Sequence, residues 1–394
     1  MEMSMCLGKK TKPSSQKTRM NINFFAPSNE LSYGIHARNT MKALHLKGHT
    51  INLTPTMNDV SYQDIFVQTW LQNQKFFQMS NPSVMIFHAA FLSQFSGKPK
   101  IGFPVWEIDH FSEHELAMMK SCDFLLVTSS WGKDILEKKG FVTHVVNEGF
   151  DPNIYAPSIP WEHKLSMIKN HPIRFGHVGK WECRKSSQEI IQGFLLAVRQ
   201  RHESTELVMH SLNPFMDSQQ IINAIKKTID PLSDNFYTES KNNIITFAAD
   251  NWKIIFPLER LPNEESMAEF YNKVHVGLFA SRAEGWNLPL MEMIACGVPC
   301  ITTDVTAQQE YLQQYPSLLK LTHLSLVPAY DGVWFRDPNT PARWFQPNPE
   351  ELAQKITWCL DHPENVLALG PACQRSVSKF TWDAAATQLE KLIS

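Results

Sequence analysis

The chain lacks the cysteine patterns that mark a disulfide scaffold or a zinc site. Its seven cysteines are dispersed among 394 residues, without a Cys-x-x-Cys pair and without the spacing of zinc ligands. An odd number of scattered thiols fits a reducing compartment better than a disulfide-bonded fold. We therefore predict a cytoplasmic protein whose fold rests on apolar cores.

A strong net charge and a long apolar run are missing as well. The formal net charge is −2, so the whole chain offers no electrostatic argument for binding nucleic acid. No apolar run approaches the roughly 18 residues of a membrane span. With 43% hydrophobic and 19% charged residues, the chain has enough apolar material for sizeable cores, and its length suits two domains.

The first 19 residues carry five basic residues and one acidic residue, and they lack the apolar segment of a signal peptide. We predict that residues 1–19 form a flexible basic arm. Two interpretations stay open: a plain solvated tail, or an arm that contacts an anionic acceptor or a membrane. Peripheral attachment of a cytoplasmic protein to a membrane is therefore left open.

The most informative segment runs from residue 276 to residue 299. Its apolar start, 276–280, predicts a buried parallel strand, and 289–295 predicts a helix with Pro289 in its first turn and Gly297 at its end. Such a strand, turn and helix place the helix N-terminus in the crevice where open α/β sheets bind ligands. Free backbone amides there suit an anion. Glu284 and Glu292 lie in this segment with seven residues between them.

Alternating strand and helix patterns predict two doubly wound α/β halves joined by a proline-broken linker at 151–170. The predicted strands of the first half are 21–25, 50–53, 84–87, 100–105, 124–128 and 143–146, with helices at 35–47 and 130–139. In the second half we predict strands at 173–178, 206–210, 244–247, 252–256, 276–280 and 300–302, with helices at 187–199, 264–272, 289–295, 349–360 and 383–393.

The run Glu-Gly-x-x-Leu-Pro at 284–289, the second glutamate and the Ala-Cys-Gly-x-Pro ending at 295–299 resemble the Glu-x7-Glu signature of glycosyltransferase family 4. Members of that family are retaining nucleotide-sugar transferases. The resemblance covers roughly 20–390 and implies the α/β GT-B fold, in which two Rossmann-like doubly wound domains face a deep cleft. It implies an acceptor domain at 20–165, a nucleotide-sugar domain at 171–378, and a last helix at 379–394 that crosses back to the first domain.

The same resemblance implies roles for the signature residues. Glu284 would act in catalysis beside the donor sugar, and Glu292 would bind the ribose hydroxyls. Sugar and phosphate would contact the turn between them, which consists of Gly285, Trp286, Asn287 and Leu288. The alternative interpretation is a surface helix with two solvated glutamates.

A second motif, 178–185, follows the first strand of the second half and resembles the phosphate-binding segment of the family. Lys180 and Lys185 fall on its cationic positions, next to Gly179 and Arg184. Two positioned cations stabilise a departing diphosphate without a metal. The chain has no Asp-x-Asp motif for a divalent ion, so we predict no metal and no cofactor besides the donor nucleotide sugar. A basic solvated turn is the alternative. By resemblance, the nucleobase packs near Leu258.

Two segments of the first half supply candidates for acceptor or sugar contacts. Near the start of the first helix, Gly34 resembles the glycine loop of the family and counts as a donor-binding candidate, with Tyr33 and His36 beside it. After the strand at 100–105 come Trp106, Glu107 and His110, where relatives often place a histidine on the donor sugar. Ordinary helix surface and a capping or salt-bridged carboxylate are the alternatives for these residues.

The leading hypothesis is an enzyme that transfers a sugar from a UDP- or GDP-sugar to an acceptor hydroxyl with retention. The acceptor classes left open are a glycan, a lipid, a small molecule, a protein and a modified nucleic-acid base. Two other classes also stay open: a non-catalytic scaffold that binds nucleotide sugars, and another GT-B enzyme such as an epimerase or a phosphorylase. The sequence does not identify the donor, the acceptor, the linkage or the oligomeric state.

Overall fold

A computed structural model describes residues 19–61, 63–233 and 235–394. The predicted basic arm, residues 1–19, lies outside the described residues except for Arg19. Within the described ranges, no helix combines the length and the apolar character that crossing a lipid bilayer requires.

The first half of the chain forms a six-stranded parallel sheet in the order β2-β1-β3-β4-β5-β6. Its strands are β1 (Asn21–Ser28), β2 (Thr50–Val60), β3 (Ser83–Phe87), β4 (Lys100–Pro104), β5 (Phe124–Val127) and β6 (Thr143–Val145). The connecting helices are α1 (Ser32–Leu46), α2 (Ile65–Gln72), α3 (Glu113–Met119) and α4 (Ser130–Glu137). Every residue of β3 is buried, as expected for a central strand of a parallel sheet covered on both faces.

The second half forms an eight-stranded sheet in the order β14-β13-β12-β7-β8-β11-β10-β9. Its strands are β7 (Ile173–Val178), β8 (Thr205–His210), β9 (Tyr237–Lys241), β10 (Ile244–Ala248), β11 (Trp252–Pro257), β12 (Val276–Phe279), β13 (Cys300–Thr303) and β14 (Lys320–Leu321). The five pairs from β14 to β11 are parallel, and β10 and β9 add an antiparallel edge. The order reverses between β7 and β12, so the loops that follow these two strands meet at a topological switch point.

Helices and one separate hairpin complete the second half. The helices are α5 (Trp161–Met167), α6 (Ser187–Val198), α7 (Ser218–Ile229), α8 (Glu264–Lys273), α9 (Leu288–Ala295), α10 (Gln309–Leu312), α11 (Pro349–Asp361), α12 (Pro363–Leu367), α13 (Gly370–Val377) and α14 (Trp382–Ile393). The hairpin pairs β15 (Leu324–Pro328) with β16 (Arg343–Pro347) outside the main sheet. We did not predict β9, α7 or this hairpin. The apolar spacing of α7, with Ile221, Ile222, Ile225 and Ile229 buried, was a helical signal in the sequence.

The last helix, α14, packs against α1 of the first half. Lys47 Nζ lies 2.7 Å from Asp383 Oδ1, and His49 Nε2 lies 3.2 Å from Glu390 Oε1. Just before α14, Thr381 forms a parallel bridge with Phe150 in the connection between the halves. The end of the chain therefore fastens the second half to the first. The exact domain boundaries stay a prediction.

Candidate active site

The turn between β12 and α9 lies directly against the first half. Thr128 Oγ1 donates a hydrogen bond to the Gly285 carbonyl oxygen at 2.6 Å. A Cβ atom at Gly285 would lie 2.7 Å from Val105 Cγ1 and 2.9 Å from the Trp106 carbonyl oxygen. Glycine is therefore required where the two halves approach each other most closely at this turn.

Helix α9 begins without a side-chain cap. Asn287 is its N-cap residue, and its φ of 78° lies in the left-handed region that asparagine tolerates better than most residues. The Asn287 side chain donates to Gln308 Oε1 at 3.2 Å instead of capping the helix. The first backbone amides of α9, such as those of Leu288 and Leu290, have no acceptor within the helix, which favours an anion at this end.

Glu284 is a buried carboxylate held by two cations. Its Oε1 accepts a hydrogen bond from Lys185 Nζ at 2.7 Å, and its Oε2 accepts one from Arg184 Nη1 at 2.7 Å. Burial opposes ionisation of Glu284, but Lys185 and Arg184 outweigh it and lower its pKa to about 2. Its backbone amide donates to Thr306 Oγ1 at 2.8 Å, which fixes the main chain. Glu284 is therefore ionised and immobile at neutral pH.

The loop after β7 supplies both cations that contact Glu284 and a third, Lys180, that contacts Glu182. Arg184 contacts Glu182 Oε2 at 3.3 Å and, across the cleft, Glu107 Oε1 at 3.5 Å. Lys180 Nζ lies 2.8 Å from Glu182 Oε1. Burial disfavours the charge of Arg184, but the surrounding carboxylates outweigh it and raise the pKa of Arg184 above the usual range. For Lys185 burial outweighs the attraction of Glu284, so the pKa of Lys185 is lowered. Three cations thus face three carboxylates in one network.

Glu292 lies on α9 and is buried, and no cation within the described ranges contacts it. Tyr271 Oη donates a hydrogen bond to Glu292 Oε2 at 3.2 Å. Burial, and then repulsion from Glu264, raise the pKa of Glu292 to about 8. The two glutamates of the signature therefore differ in protonation at neutral pH: Glu284 is a carboxylate and Glu292 is mostly a carboxylic acid.

Several predicted contact residues turn away from the cleft. The Trp286 ring packs in the core between Tyr311 and Phe380, with ring centroids 5.1 Å and 5.6 Å away. Only the backbone of Trp286 is therefore available for contacts at the turn. The Trp106 ring packs on Phe111 at 4.8 Å. His110 is exposed, outside the charged network. The space over Gly34 is filled by the backbone of the preceding loop, because a Cβ there would lie 2.1 Å from the Asn29 carbonyl oxygen.

The remaining candidates lie around the network. Tyr33 Oη donates to the Val105 carbonyl oxygen at 3.0 Å. His36 is buried and contacts Glu148. Gly179 lies under Lys185, since a Cβ at this position would lie 3.4 Å from Lys185 Cδ. Leu258 follows β11 at the same edge of the sheet and is half-buried.

Sequence reasoning missed two carboxylates of the cleft. Glu182 lies inside the predicted phosphate-binding segment, where its alternation with Lys180 and Arg184 was a visible signal. Glu148 lies in the connection after β6, and nothing in its local sequence indicated burial beside His36. No group of His, Cys, Asp or Glu side chains within the described ranges has the arrangement of a metal site. The prediction that no metal is required stays a prediction.

Comparison of the amino-acid sequence with known proteins gives a match to a family model and a match to a relative. The family model "Glycosyl transferases group 1" matches residues 240–362, which include the Glu-x7-Glu segment. Mannosylfructose-phosphate synthase from Agrobacterium fabrum is 26% identical over 205 residues, which are 48% of this chain. The match spans only 40% of the length of that relative. The family model is one of glycosyltransferases, and its match includes the segment that resembles the Glu-x7-Glu signature.

Solved structures resemble the whole chain. Sucrose-phosphate synthase from Thermosynechococcus elongatus superposes with a TM-score of 0.64 at 17% identity, covering 95% of this chain and 98% of that chain. HepE from Anabaena in complex with UDP-glucose gives a TM-score of 0.62 at 14% identity, covering 95% and 99%. The chain therefore has the α/β GT-B fold with two Rossmann-like halves, which confirms the predicted fold class.

Proposed function

We propose that the chain is a family 4 glycosyltransferase that moves a sugar from a nucleoside-diphosphate sugar to an acceptor hydroxyl, with retention and without a metal. The observation that carries this proposal is Glu284, a buried carboxylate fixed by Lys185 and Arg184 at the switch point of the second sheet. The family-model match over 240–362 supports the class of reaction. Retention rests on the resemblance to the Glu-x7-Glu signature.

The charges of the site suit a diphosphate leaving group. Lys180 and Lys185 are placed to neutralise the negative charge that grows as the glycosidic bond breaks, and the free amides of α9 add a positive dipole end. Lys180 and Lys185 already contact carboxylates, so an entering diphosphate has to exchange partners. Lys180 is the cation freest to move. Its side chain is 33% exposed, and among the described residues Glu182 is the only carboxylate that it contacts.

The proposed reaction needs no protein nucleophile. The bond from the anomeric carbon to the diphosphate oxygen breaks, and the acceptor oxygen bonds to that carbon on the same face. The acceptor proton passes to the departing phosphate oxygen, so atoms and charge balance. Glu284, being ionised, accepts hydrogen bonds from sugar hydroxyls and keeps Lys185 and Arg184 oriented.

Ligand-induced thermal stabilisation tests the donor site. UDP, GDP and ADP, each with its glucose or mannose conjugate, are added to native protein with and without EDTA. UDP-glucose comes first because HepE from Anabaena was solved with it. At 100-fold excess over Kd, a ligand stabilises by about 2.7 kcal/mol. Lys185→Ala and Glu292→Ala should lose this shift, and the exposed Lys227→Ala should keep it.

This binding screen and a transfer assay with the donor that it identifies each decide separate points. An inverted anomeric configuration of the product, assigned by NMR, would refute retention. A shift that EDTA abolishes would refute metal independence. Nucleotide-sugar binding without transfer to any of a panel of glycan, lipid and small-molecule acceptors would favour the scaffold interpretation. No shift with any nucleotide, in folded protein, would refute the donor site itself.

A further inference from the structure

Glu148 is a buried carboxyl group in the connection that joins the two halves. It is 4% exposed, although it follows a strand in an irregular segment. The residues around it are held by hydrogen bonds from their backbone amides. The Asn147 amide donates to Gln388 Oε1 at 2.9 Å, and the Phe150 amide donates to the Phe380 carbonyl oxygen at 3.2 Å. Its backbone is therefore held on both sides by the C-terminal segment.

His36 of α1 is the side chain that contacts this carboxyl. Its Nδ1 lies 3.5 Å from Glu148 Oε1 and has no hydrogen-bond partner in the part of the chain that the structure describes. The ring is 1% exposed and is packed on two sides, by Phe103 edge-on at 4.7 Å and by Trp382 stacked at 6.0 Å. The aromatic packing fixes the imidazole ring with its unpartnered nitrogen toward Glu148.

The surroundings of Glu148 offer no positive charge. Among the described residues, no lysine, arginine or backbone amide contacts its carboxyl, and the groups facing it are His36 and Tyr33 of α1, Tyr311 of α10, and Glu284 and Glu292. Burial, then repulsion from Glu292 and Glu284, raise the pKa of Glu148 well above its usual value. Burial lowers the pKa of His36 to about 3. Both shifts favour the uncharged forms of the two groups.

A carboxyl group in such surroundings lowers the stability of the fold. A buried carboxyl without a cation or an amide destabilises the folded state, whereas an apolar residue of similar size would pack in the same place. Uncompensated groups of this kind concentrate where a ligand supplies the missing partner. Asn147, the residue before Glu148, donates through Nδ2 to the Thr128 carbonyl oxygen at 2.8 Å, and Thr128 Oγ1 donates to the Gly285 carbonyl oxygen at 2.6 Å. Glu148 therefore lies beside the signature turn, where the donor sugar is expected.

We propose that Glu148, oriented by His36, binds a hydroxyl group of the donor sugar. The inference rests on the proposed function, in which Glu284 and Glu292 bracket the sugar and the ribose. A carboxylic acid donates one hydrogen bond and accepts another, which matches a hydroxyl group that does the same. Glu148 is then a specificity-determining contact, and His36 is a positioning residue that acts through it.

The test is the difference in affinity between a nucleotide and its sugar conjugate. Titration calorimetry compares UDP with UDP-glucose, and GDP with GDP-mannose, on native protein and on Glu148→Ala, Glu148→Gln and His36→Phe. The exposed Glu137→Gln is the matched control. We expect Glu148→Ala to weaken the sugar nucleotide about five- to tenfold and to leave the plain nucleotide unchanged, the effect of one lost hydrogen bond. Glu148→Gln keeps a donor and an acceptor, so it should stay within about twofold of native protein.

A pH series separates this role from a structural one. In native protein the preference for the sugar conjugate should fall as pH rises through the pKa of Glu148, because a carboxylate cannot donate. Glu148→Gln should remove that pH dependence. His36→Phe keeps the ring packing but removes the nitrogen that faces the carboxyl group, so it should weaken the sugar conjugate and leave the plain nucleotide unchanged.

The outcomes distinguish this inference from the function on which it rests. Equal weakening of nucleotide and sugar conjugate in Glu148→Ala, or no weakening, would overturn it while leaving the donor site intact. Native protein that binds no nucleotide would refute the proposed function, and this inference with it. If Glu148→Ala does not fold, the pH dependence of native protein and its absence in Glu148→Gln decide the matter alone.

Discussion

Replacing Glu292 by glutamine should stabilise the protein that has no ligand. Glu292 is 8% exposed and lies on α9, where burial, followed by repulsion from Glu264, raises its pKa to about 8. The unfolded chain releases this proton near pH 4.5, whereas the folded chain keeps it until about pH 8. Glu292 therefore does not destabilise the folded state below pH 4.5. Above that, the free energy of unfolding falls progressively as pH rises to about 8.

The size of the effect follows from the same two values. Between pH 4.5 and pH 7 lie about 2.5 pH units, and each costs about 1.4 kcal/mol, so the acid destabilises the fold by about 3 kcal/mol at pH 7. Glutamine stays neutral and can still accept the hydrogen bond of Tyr271. For 394 residues unfolding together, this predicts a rise in Tm of about 4 °C, and about twice that if one half unfolds alone.

The assay is thermal and urea unfolding of native protein and Glu292→Gln from pH 5 to pH 8. We expect the two curves to coincide near pH 5 and to separate steadily above it. Glu351→Gln is the opposite control: burial raises the pKa of Glu351, but hydrogen bonds from the amides of Thr322 and His323 outweigh it and lower the pKa. Removing that carboxylate should destabilise the protein at pH 7.

The same variant measures a conflict between stability and binding. If Glu292 is kept for the ribose hydroxyls, which donate to its ionised form, nucleotide binding favours loss of its proton. Glu292→Gln then gains stability and loses nucleotide affinity, since an amide offers one acceptor where the carboxylate formed on binding offers two. A Glu292→Gln protein that is less stable than native protein at pH 7, or equally stable at every pH, would refute the reasoning from burial.

Two further substitutions separate contact between the halves from core packing. Gly285→Ala places a Cβ within 2.9 Å of the Trp106 carbonyl oxygen, so it should force the two halves apart. Steady-state kinetics should then show a kcat that is lower by about tenfold or more. A native kcat in this variant would contradict the close approach of the halves. Trp286→Phe removes part of a ring packed against Tyr311 and Phe380, so it should cost roughly 1–3 kcal/mol in urea unfolding and leave nucleotide affinity unchanged. Weaker nucleotide binding by folded Trp286→Phe would instead mean that the indole faces the ligand.

The sequence was sufficient to predict the fold class and to place both motifs after strands of the second half. Apolar strands alternating with helices led to two parallel sheets, and the signature turn and the Lys180 loop both follow strands of the second sheet. At a switch point such loops become neighbours, which explains why Lys185 and Glu284, far apart in the chain, form a 2.7 Å contact.

Side-chain direction was not accessible in the same way. Trp286 lies within the signature, and its neighbours Gly285 and Asn287 border the cleft, yet its ring enters the core because Tyr311 and Phe380 leave room there. Both partners come from later elements, and no local pattern at 284–289 indicates them. A turn has no fixed period such as 2 or 3.6, so alternation cannot assign its side chains to a face.

The glutamates of the cleft show why protonation cannot be predicted from a motif. Glu284, Glu292 and Glu148 are all buried, and burial alone would raise the pKa of each. Only Glu284 contacts Lys185 and Arg184, so it alone of the three ionises at low pH. The other two depend on neighbours brought in by folding, namely Glu264 for Glu292 and the two signature glutamates for Glu148. A donor would then meet Glu284 as a carboxylate, which accepts hydrogen bonds, beside two groups whose raised pKa values favour the acid, which can also donate them. That difference follows from tertiary contacts alone.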